Sequence, residues 1–262
     1  TRNESSAASD VYKRQRLEIV CDLSPKRASQ RATDLGFSRY SDNWRDVVED
    51  DQVHLVSICT PNDTHAEIAV AALAAGKHVW CEKPMSTTLA DSTAMANAAA
   101  SSAGKTIIGY NYTKNPAVTH ARRLIDSGVI GRVSGFFCRY DVDNEADGNR
   151  PWSWRMSRAQ SGTGSNGDVL SHVISVAHFL TNSSISRVVG DYTIVHKERA
   201  DSQAAGQTKI VDNDDMVAAL IHFENGVKGH IGASRVTWGR KCGLHWELHG
   251  TEGTIIYDQE RL

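Results

Sequence analysis

The chain has 262 residues, 29 Lys+Arg against 31 Asp+Glu, and a formal net charge of −2. With 40% apolar and 23% charged residues its composition is that of a globular protein, which excludes disorder over most of the length; at about 100–200 residues per domain it predicts one or two domains. The balanced charge lacks the basic face of a nucleic-acid binder, and the longest apolar run, Ile68 to Gly76, falls far short of the about 20 residues that cross a bilayer.

Residues 1–16 (TRNESSAASDVYKRQR) show no period of 2 or 3.6 and no charged-then-apolar leader pattern. They read as a disordered or foreign leader. Leu17 to Cys21 is a short β-rich run closed by Asp22 and Pro25, and Lys26 to Leu35 a helix stopped by Gly36. Val53 to Cys59 is a second strand, apolar enough to be buried on both faces. Thr60-Pro61-Asn62-Asp63 turns the chain, and Thr64-x-x-Glu67 predicts a capping box on a helix ending at Gly76. His78 to Cys81 is the next strand; Thr88-x-x-Asp91 opens an Ala-rich helix to about Ala103, and Thr106 to Tyr110 is a further strand. Strands alternating with helices predict a doubly wound parallel sheet.

After a helix over Pro116 to Ser127 the pattern changes. A long strand is expected at Arg132 to Val142, a helix at Val169 to Leu180, and strands at 187–196, 216–223, 227–231, 244–249 and 254–257. Turns at Gly226 and Thr251-Glu252-Gly253 join strands into a mostly antiparallel sheet. The organisation read from this is a leader over 1–16, a nucleotide-binding type of domain over 17–118 and an α+β domain over 119–262. The five cysteines, Cys21, Cys59, Cys81, Cys138 and Cys242, are odd in number and set in apolar runs. They read as reduced, buried thiols of a cytoplasmic protein.

Open parallel sheets bind ligands at the carboxyl ends of their strands, and three such ends are polar. Asp22 stands where a ribose diol would be held, or caps a helix. Thr60-Pro61-Asn62-Asp63-Thr64-His65 leads to a helix N-terminus that favours an anion, or is an ordinary turn. Glu82-Lys83-Pro84 aims a lysine outward, because the residue before proline is held extended; the alternative is a surface ion pair. Asp168-x-x-x-His172 puts an acid and an imidazole on one helix face, as a base with its orienting acid or as a capping Asp and a core His.

Ile58 to His65, Ala72 to Pro84 with its Glu-Lys-Pro element, Gly109-Tyr-Asn-Tyr112 with Asn115-Pro-Ala117, Gly131-x-Val133 and Asp168-x-x-x-His172 occur in that order. Together they closely resemble the Gfo/Idh/MocA family of sugar and polyol dehydrogenases, from about Leu17 to Tyr257. The resemblance implies an incomplete Rossmann-type parallel sheet followed by an α+β domain whose large, mostly antiparallel open sheet makes a homo-oligomer. It implies Lys83, Asp168 and His172 as catalytic residues and a cis Lys83–Pro84 bond. Asp22, Thr60, Pro61, Asn62, His65, Glu82 and Lys83 would bind NAD, or NADP, given Lys26 and Arg27 near Asp22. Asn111 and His172 would bind a sugar or polyol; Trp152, Trp154 and Arg155, in a loop before Asp168, offer it indole faces and a charge, or are core tryptophans and a surface ion pair.

There are departures too. The family's first strand and Gly-x-Gly-x-x-Gly turn would lie about 20 residues before Asp22, but no glycine precedes Gly36, and the chain reads as truncated at both ends. Leu170, Ser175 and Thr113 replace the Gly, Asp and Arg of the family pattern.

The expected chemistry is oxidation of a secondary alcohol, with His172 or Lys83 taking the hydroxyl proton and Asp168 supporting both. A non-catalytic NAD(P)-binding regulator is the alternative, disfavoured by Lys83, Asp168 and His172 occurring together. A zinc site at His245, Glu247 and His249, which share a strand face, is read instead as a polar or subunit-contacting surface; no metal is expected.

Overall fold

The structure is a computed structural model, and it describes residues 15–261. The leader expected over 1–16 lies outside the described residues except for Gln15 and Arg16. The described chain forms two compact units, residues 15–59, 65–81 and 93–107 in the first and 60–64, 82–92 and 108–261 in the second. No helix among the described residues is long and apolar enough to cross a membrane.

In the first unit β1 (Ile19–Cys21) leads through α1 (Pro25–Leu35) to β2 (Arg39–Ser41), and α2 (Trp44–Glu49) to β3 (Leu55–Ile58). Then come α3 (His65–Ala74), β4 (His78–Cys81), α4 (Leu89–Ser101) and β5 (Thr106–Ile108). β1 pairs with β2 in parallel, and β3-β4-β5 form a second sheet. α1 begins at Pro25 with Ser24 as its cap and ends at Gly36, whose φ of 80° is the left-handed conformation glycine adopts without a Cβ penalty.

Two local expectations fail here. The Thr64–Glu67 capping box does not form: the Thr64 hydroxyl donates to the Pro61 carbonyl at 2.7 Å, within a 3₁₀ turn (Asn62–Thr64), and Glu67 pairs with Arg45. β3 is not buried on both faces either. Val56 and Ile58 are buried against the small side chains of α3, whereas Leu55 on the other face is 47% exposed. The same alternation turns Cys59 out to solvent and Cys81 inward; Cys138 is buried, Cys21 and Cys242 are half-buried, and all five are free thiols.

The second unit contains α5 (Pro116–Asp126), β6 (Val133–Asp141), α6 (Arg158–Ser161), α7 (Ser171–Thr181) and β7 (Ile185–Thr193). A small hairpin, β8 (Glu198–Ala200) and β9 (Thr208–Ile210), precedes β10 (Met216–Phe223), β11 (Lys228–Ser234), β12 (Gly243–Gly250) and β13 (Thr254–Asp258). The long strands make one six-stranded sheet in the order β13-β12-β6-β11-β10-β7. Only β6 and β11 pair in parallel; the other four pairings are antiparallel.

One face of this sheet, with Phe136 and Cys138 of β6, Trp246 and Leu248 of β12 and Ile221 of β10, packs with Val173, Val176, Ala177 and Leu180 of α7 in a single core. The opposite face runs Val189, Leu220, His230, Phe137, Glu247, Ile256 across the strands. Gly229 is where β11 crosses close to β6: an added Cβ would lie 1.6 Å from the Phe136 carbonyl oxygen.

Candidate active site

The centre of the site is assembled within the second unit. The Lys83–Pro84 bond is cis, and Lys83 Nζ donates to Asp168 twice, to Oδ1 at 2.5 Å and to the main-chain carbonyl at 2.7 Å. That double contact depends on a local feature that the periodicity did not predict. The helix expected at 169–180 is preceded by a π-helical turn (Asn166–Leu170), in which the Ser171 N–H reaches back to the Asn166 carbonyl. Such i→i+5 turns are rare and occur mostly at functional sites. Here the Asp168 carbonyl accepts a side-chain ammonium.

His172 opens α7 and is buried. Its ring is met edge-on by Tyr112 at 4.9 Å and Tyr110 at 6.0 Å between centroids. Behind Tyr112, its hydroxyl and that of Tyr140 are 2.7 Å apart, and both approach the Cys242 thiol. His172 Nδ1 is buried and makes no hydrogen bond among the described residues.

Burial, with the Lys83 ammonium adding to it, lowers the imidazole to about 4 against the opposing pull of Asp168. Burial works the other way on Asp168, but Lys83, followed by Arg155 and His172, outweighs it and holds the carboxyl below its ordinary value. Burial and then Cys242 push Tyr112 up to about 12. At neutral pH the site therefore presents a carboxylate, bonded to Lys83, and a neutral imidazole. That combination is suited to accept a proton from a hydroxyl and to stabilise the oxygen left behind.

The other expected residues divide. Thr60 and Pro61 border the turn after β3, but the Asn62 amide is engaged by the Ser161 carbonyl at 3.0 Å and ties that turn to α6. Glu82 packs against Gly109, where an added Cβ would stand about 3 Å from its carboxylate, and accepts the Lys83 N–H. His65 is buried at the start of α3 in the first unit.

Asp22, also in the first unit, follows β1 with its carboxylate gripped by the Arg27 guanidinium, whose hydrogen bonds lower its pKa; the helix cap is Ser24. Asn111 is exposed at the start of a 3₁₀ turn, and the residues flanking it, Tyr110 and Tyr112, are the ones that touch His172. The Arg155 guanidinium stacks on Trp154 at 4.5 Å, while Trp152 turns to the β8–β9 hairpin, donating to the Ile210 carbonyl.

Sequence reading missed what holds Arg155. Its carbonyl accepts from Asn213 Nδ2 at 2.7 Å and Arg235 Nη1 at 3.2 Å, and Arg235 is itself paired with Asp215 in full burial. Consecutive polar residues before a strand read as a loop, so no signal marked them. On the open sheet face His245 and His249 both bond to Glu247, and among the described residues no group of three His, Cys, Asp or Glu is arranged to hold a metal.

Taken unit by unit, the partly exposed carboxylate of Asp22 in the first has the chemistry that suits a ribose diol, and the Thr60–Pro61 and Glu82–Lys83 strand ends in the second have the chemistry that suits a nicotinamide riboside. No glycine precedes Gly36, so no glycine turn stands ahead of β1 or α1.

Residues 118–256 match the Gfo/Idh/MocA C-terminal domain, and residues 1–110 the oxidoreductase family with the NAD-binding Rossmann fold. The chain belongs to the Gfo/Idh/MocA family. It is 36% identical over 254 residues to levoglucosan dehydrogenase of Pseudarthrobacter phenanthrenivorans, covering 93% of this chain and 65% of that one. It is 30% identical over 241 residues to 1,5-anhydro-D-fructose reductase of Ensifer adhaerens, covering 90% and 66%.

Among solved structures, levoglucosan dehydrogenase in complex with NADH and L-sorbose superposes with a TM-score of 0.91 at 37% identity, over 94% of this chain and 65% of that chain. An oxidoreductase domain protein from Kribbella flavida does so at 0.89 and 37%, over 94% and 65%. This Gfo/Idh/MocA chain thus spans about two thirds of the length of the relatives it matches.

Proposed function

We propose that the protein is an NAD(P)-dependent oxidoreductase moving hydride between a secondary alcohol of a sugar or polyol and the nicotinamide. The observation that carries this reading is the buried imidazole of His172 on the helix that follows the Asp168 turn, where Asp168 holds the Lys83 side chain by two hydrogen bonds. Family membership supports it, as do the names of the relatives, a levoglucosan dehydrogenase and an anhydrofructose reductase.

The cofactor, when bound, supplies the hydride acceptor and the difficult chemistry. Asp22 would hold its ribose, and Thr60, Pro61, Glu82 and Lys83 its nicotinamide end. His172 takes the hydroxyl proton through Nε2, since Nδ1 is enclosed. Lys83 donates a hydrogen bond to the same oxygen and stabilises its developing negative charge, and Asp168 fixes the ammonium for that task. Tyr110 and Tyr112 wall the imidazole from water. The Arg155–Trp154 stack would offer a sugar one charged donor and one apolar face.

The test is cofactor reduction by a panel of sugars and polyols with NAD and NADP. Turnover that falls by about 10²–10⁴-fold in Lys83→Met supports the reading, because acid–base assistance is worth that much. Cofactor binding without turnover on any substrate would instead favour a regulatory protein. The open sheet face, where Val189, Leu220 and Ile256 are each more than 60% exposed, is the surface on which a homo-oligomer would form. Light scattering of wild type against Leu220→Asp tests that: a drop in mass on substitution is expected, and an unchanged mass excludes this face.

A further inference from the structure

The Lys83–Asp168 contact is set from outside the site. Residues 164–166, which lead into the π-helical turn, run past Asp214, two residues before β10. Asp214 is 6% exposed and takes three successive N–H groups from that segment. Gly164 donates to Oδ1 at 2.9 Å, Ser165 to the Asp214 carbonyl at 2.8 Å and Asn166 to Oδ2 at 2.6 Å.

An anion at the N-terminus of a helical segment is electrostatically favoured, and its bonds to N–H groups are charge-assisted. The approach leaves no slack: a Cβ on Gly164 would lie 1.8 Å from the Asp214 carbonyl oxygen. Gly164 in turn accepts the Asp168 N–H at 3.0 Å, so hydrogen bonds run unbroken from Asp214 through Gly164 and Asp168 to Lys83. The flanks of Asp214 are fixed as well. Asn213 bonds to the Ser161 hydroxyl at 2.8 Å as well as to Arg155, and Asp215 bonds to Arg235 and to the N–H groups of Val195 and His196.

We infer that Asp214 is a positioning residue, which by gripping residues 164–166 sets the turn that delivers Asp168 to Lys83. It touches neither reacting group. The grip is mutual, so disturbing either side should have one consequence: Asp214→Asn replaces an acceptor by a donor that faces an N–H, and Gly164→Ala pushes the turn away while Asp214 stays intact.

The test is competitive lysine acylation of the whole chain, read by peptide mass spectrometry. In the wild type Lys83, with its side chain 18% exposed and bonded to Asp168, should label slowly. In both variants Lys83 labelling should rise several-fold. Lys77, buried in the first unit and bonded to the Asp50 carbonyl, should not change. Unchanged Lys83 labelling, or Lys77 and Lys83 rising together, overturns the inference. Should Asp214→Asn fail to fold, Gly164→Ala decides alone.

A kinetic arm rests on the proposed hydride transfer, whereas the labelling arm does not. kcat should fall by about 10²-fold with the cofactor KM little changed, the scale expected of a small misplacement at a reacting centre. A purely structural role would lower the active fraction and leave kcat per folded molecule untouched. An inactive wild type would sink the proposed function and leave the labelling result to judge Asp214.

Discussion

In the β3-β4-β5 sheet of the first unit, alternate side chains face outward, and Leu55, Trp80 and Ile107 are 47%, 45% and 44% exposed. In the six-stranded sheet of the second unit the open face is exposed too, with Val189, Leu220 and Ile256 at 74%, 62% and 63%, while the inward row of Phe136, Cys138, Trp246 and Leu248 is at most 1% exposed. The first sheet is built from strands of three or four residues under alanine-rich helices, the second from strands of mostly seven to nine under a helix whose Val173, Val176, Ala177 and Leu180 are fully buried. Lys83, Asp168 and His172 all belong to the second unit. Their geometry is therefore set where packing leaves least freedom, as a reacting constellation requires.

The contrast can be broken most decisively by truncating one indole in each sheet. Trp246→Ala is expected to cost about 3–5 kcal/mol, since a large buried side chain leaves a cavity that relaxes only partly. Trp80→Ala, half exposed on a sheet with little above that face among the described residues, should cost less than about 1 kcal/mol. Denaturant titration of both variants checks this, and equal losses would erase the distinction.

A second prediction concerns pH. An unfolded histidine titrates near 6.5, and the folded His172 near 4, so the unfolded chain binds the extra proton first. The stabilisation is fully present above about pH 6.5 and is lost as pH falls through 4, a change on the order of 3 kcal/mol by linkage. His172→Asn should flatten stability across that window; an unaltered pH profile would mean the imidazole is not desolvated.

The next effect is smaller. Gly229→Ala places a methyl against the Phe136 carbonyl and should cost about 1–3 kcal/mol through overpacking, whereas Gly76→Ala, with open space around it but φ of 74°, tests backbone strain alone.

Much of the framework was readable because it is local. Alternating strands and helices, Gly36 as a stop, Thr88 as a cap and the change to antiparallel strands all follow from neighbours in sequence. What could not be read is set across long separations. The Thr64 capping box lost to a hydrogen bond with Pro61. β3 looked fully buried from its apolarity, although its outer face is open. The π-helical turn is bonded to Asp214 through Asn166 and to Lys83 through Asp168, 48 and 85 residues away, and a periodicity window cannot see either. Asn62 and His65, both in a motif matching the family pattern, are occupied in holding α6 and the core of the first unit. The edge-on contacts of Tyr110 and Tyr112 with His172 join residues 60 or more positions apart, which no local pattern shows.

Everything proposed for the chemistry depends on an enclosed imidazole whose pKa is held down by burial and by the Lys83 charge. A titration of the His172 ring by nitrogen NMR in wild type and Lys83→Met reads that directly. A wild-type midpoint near 4 that climbs when Lys83 loses its charge is the predicted result. A midpoint near 6.5 in both proteins would contradict it.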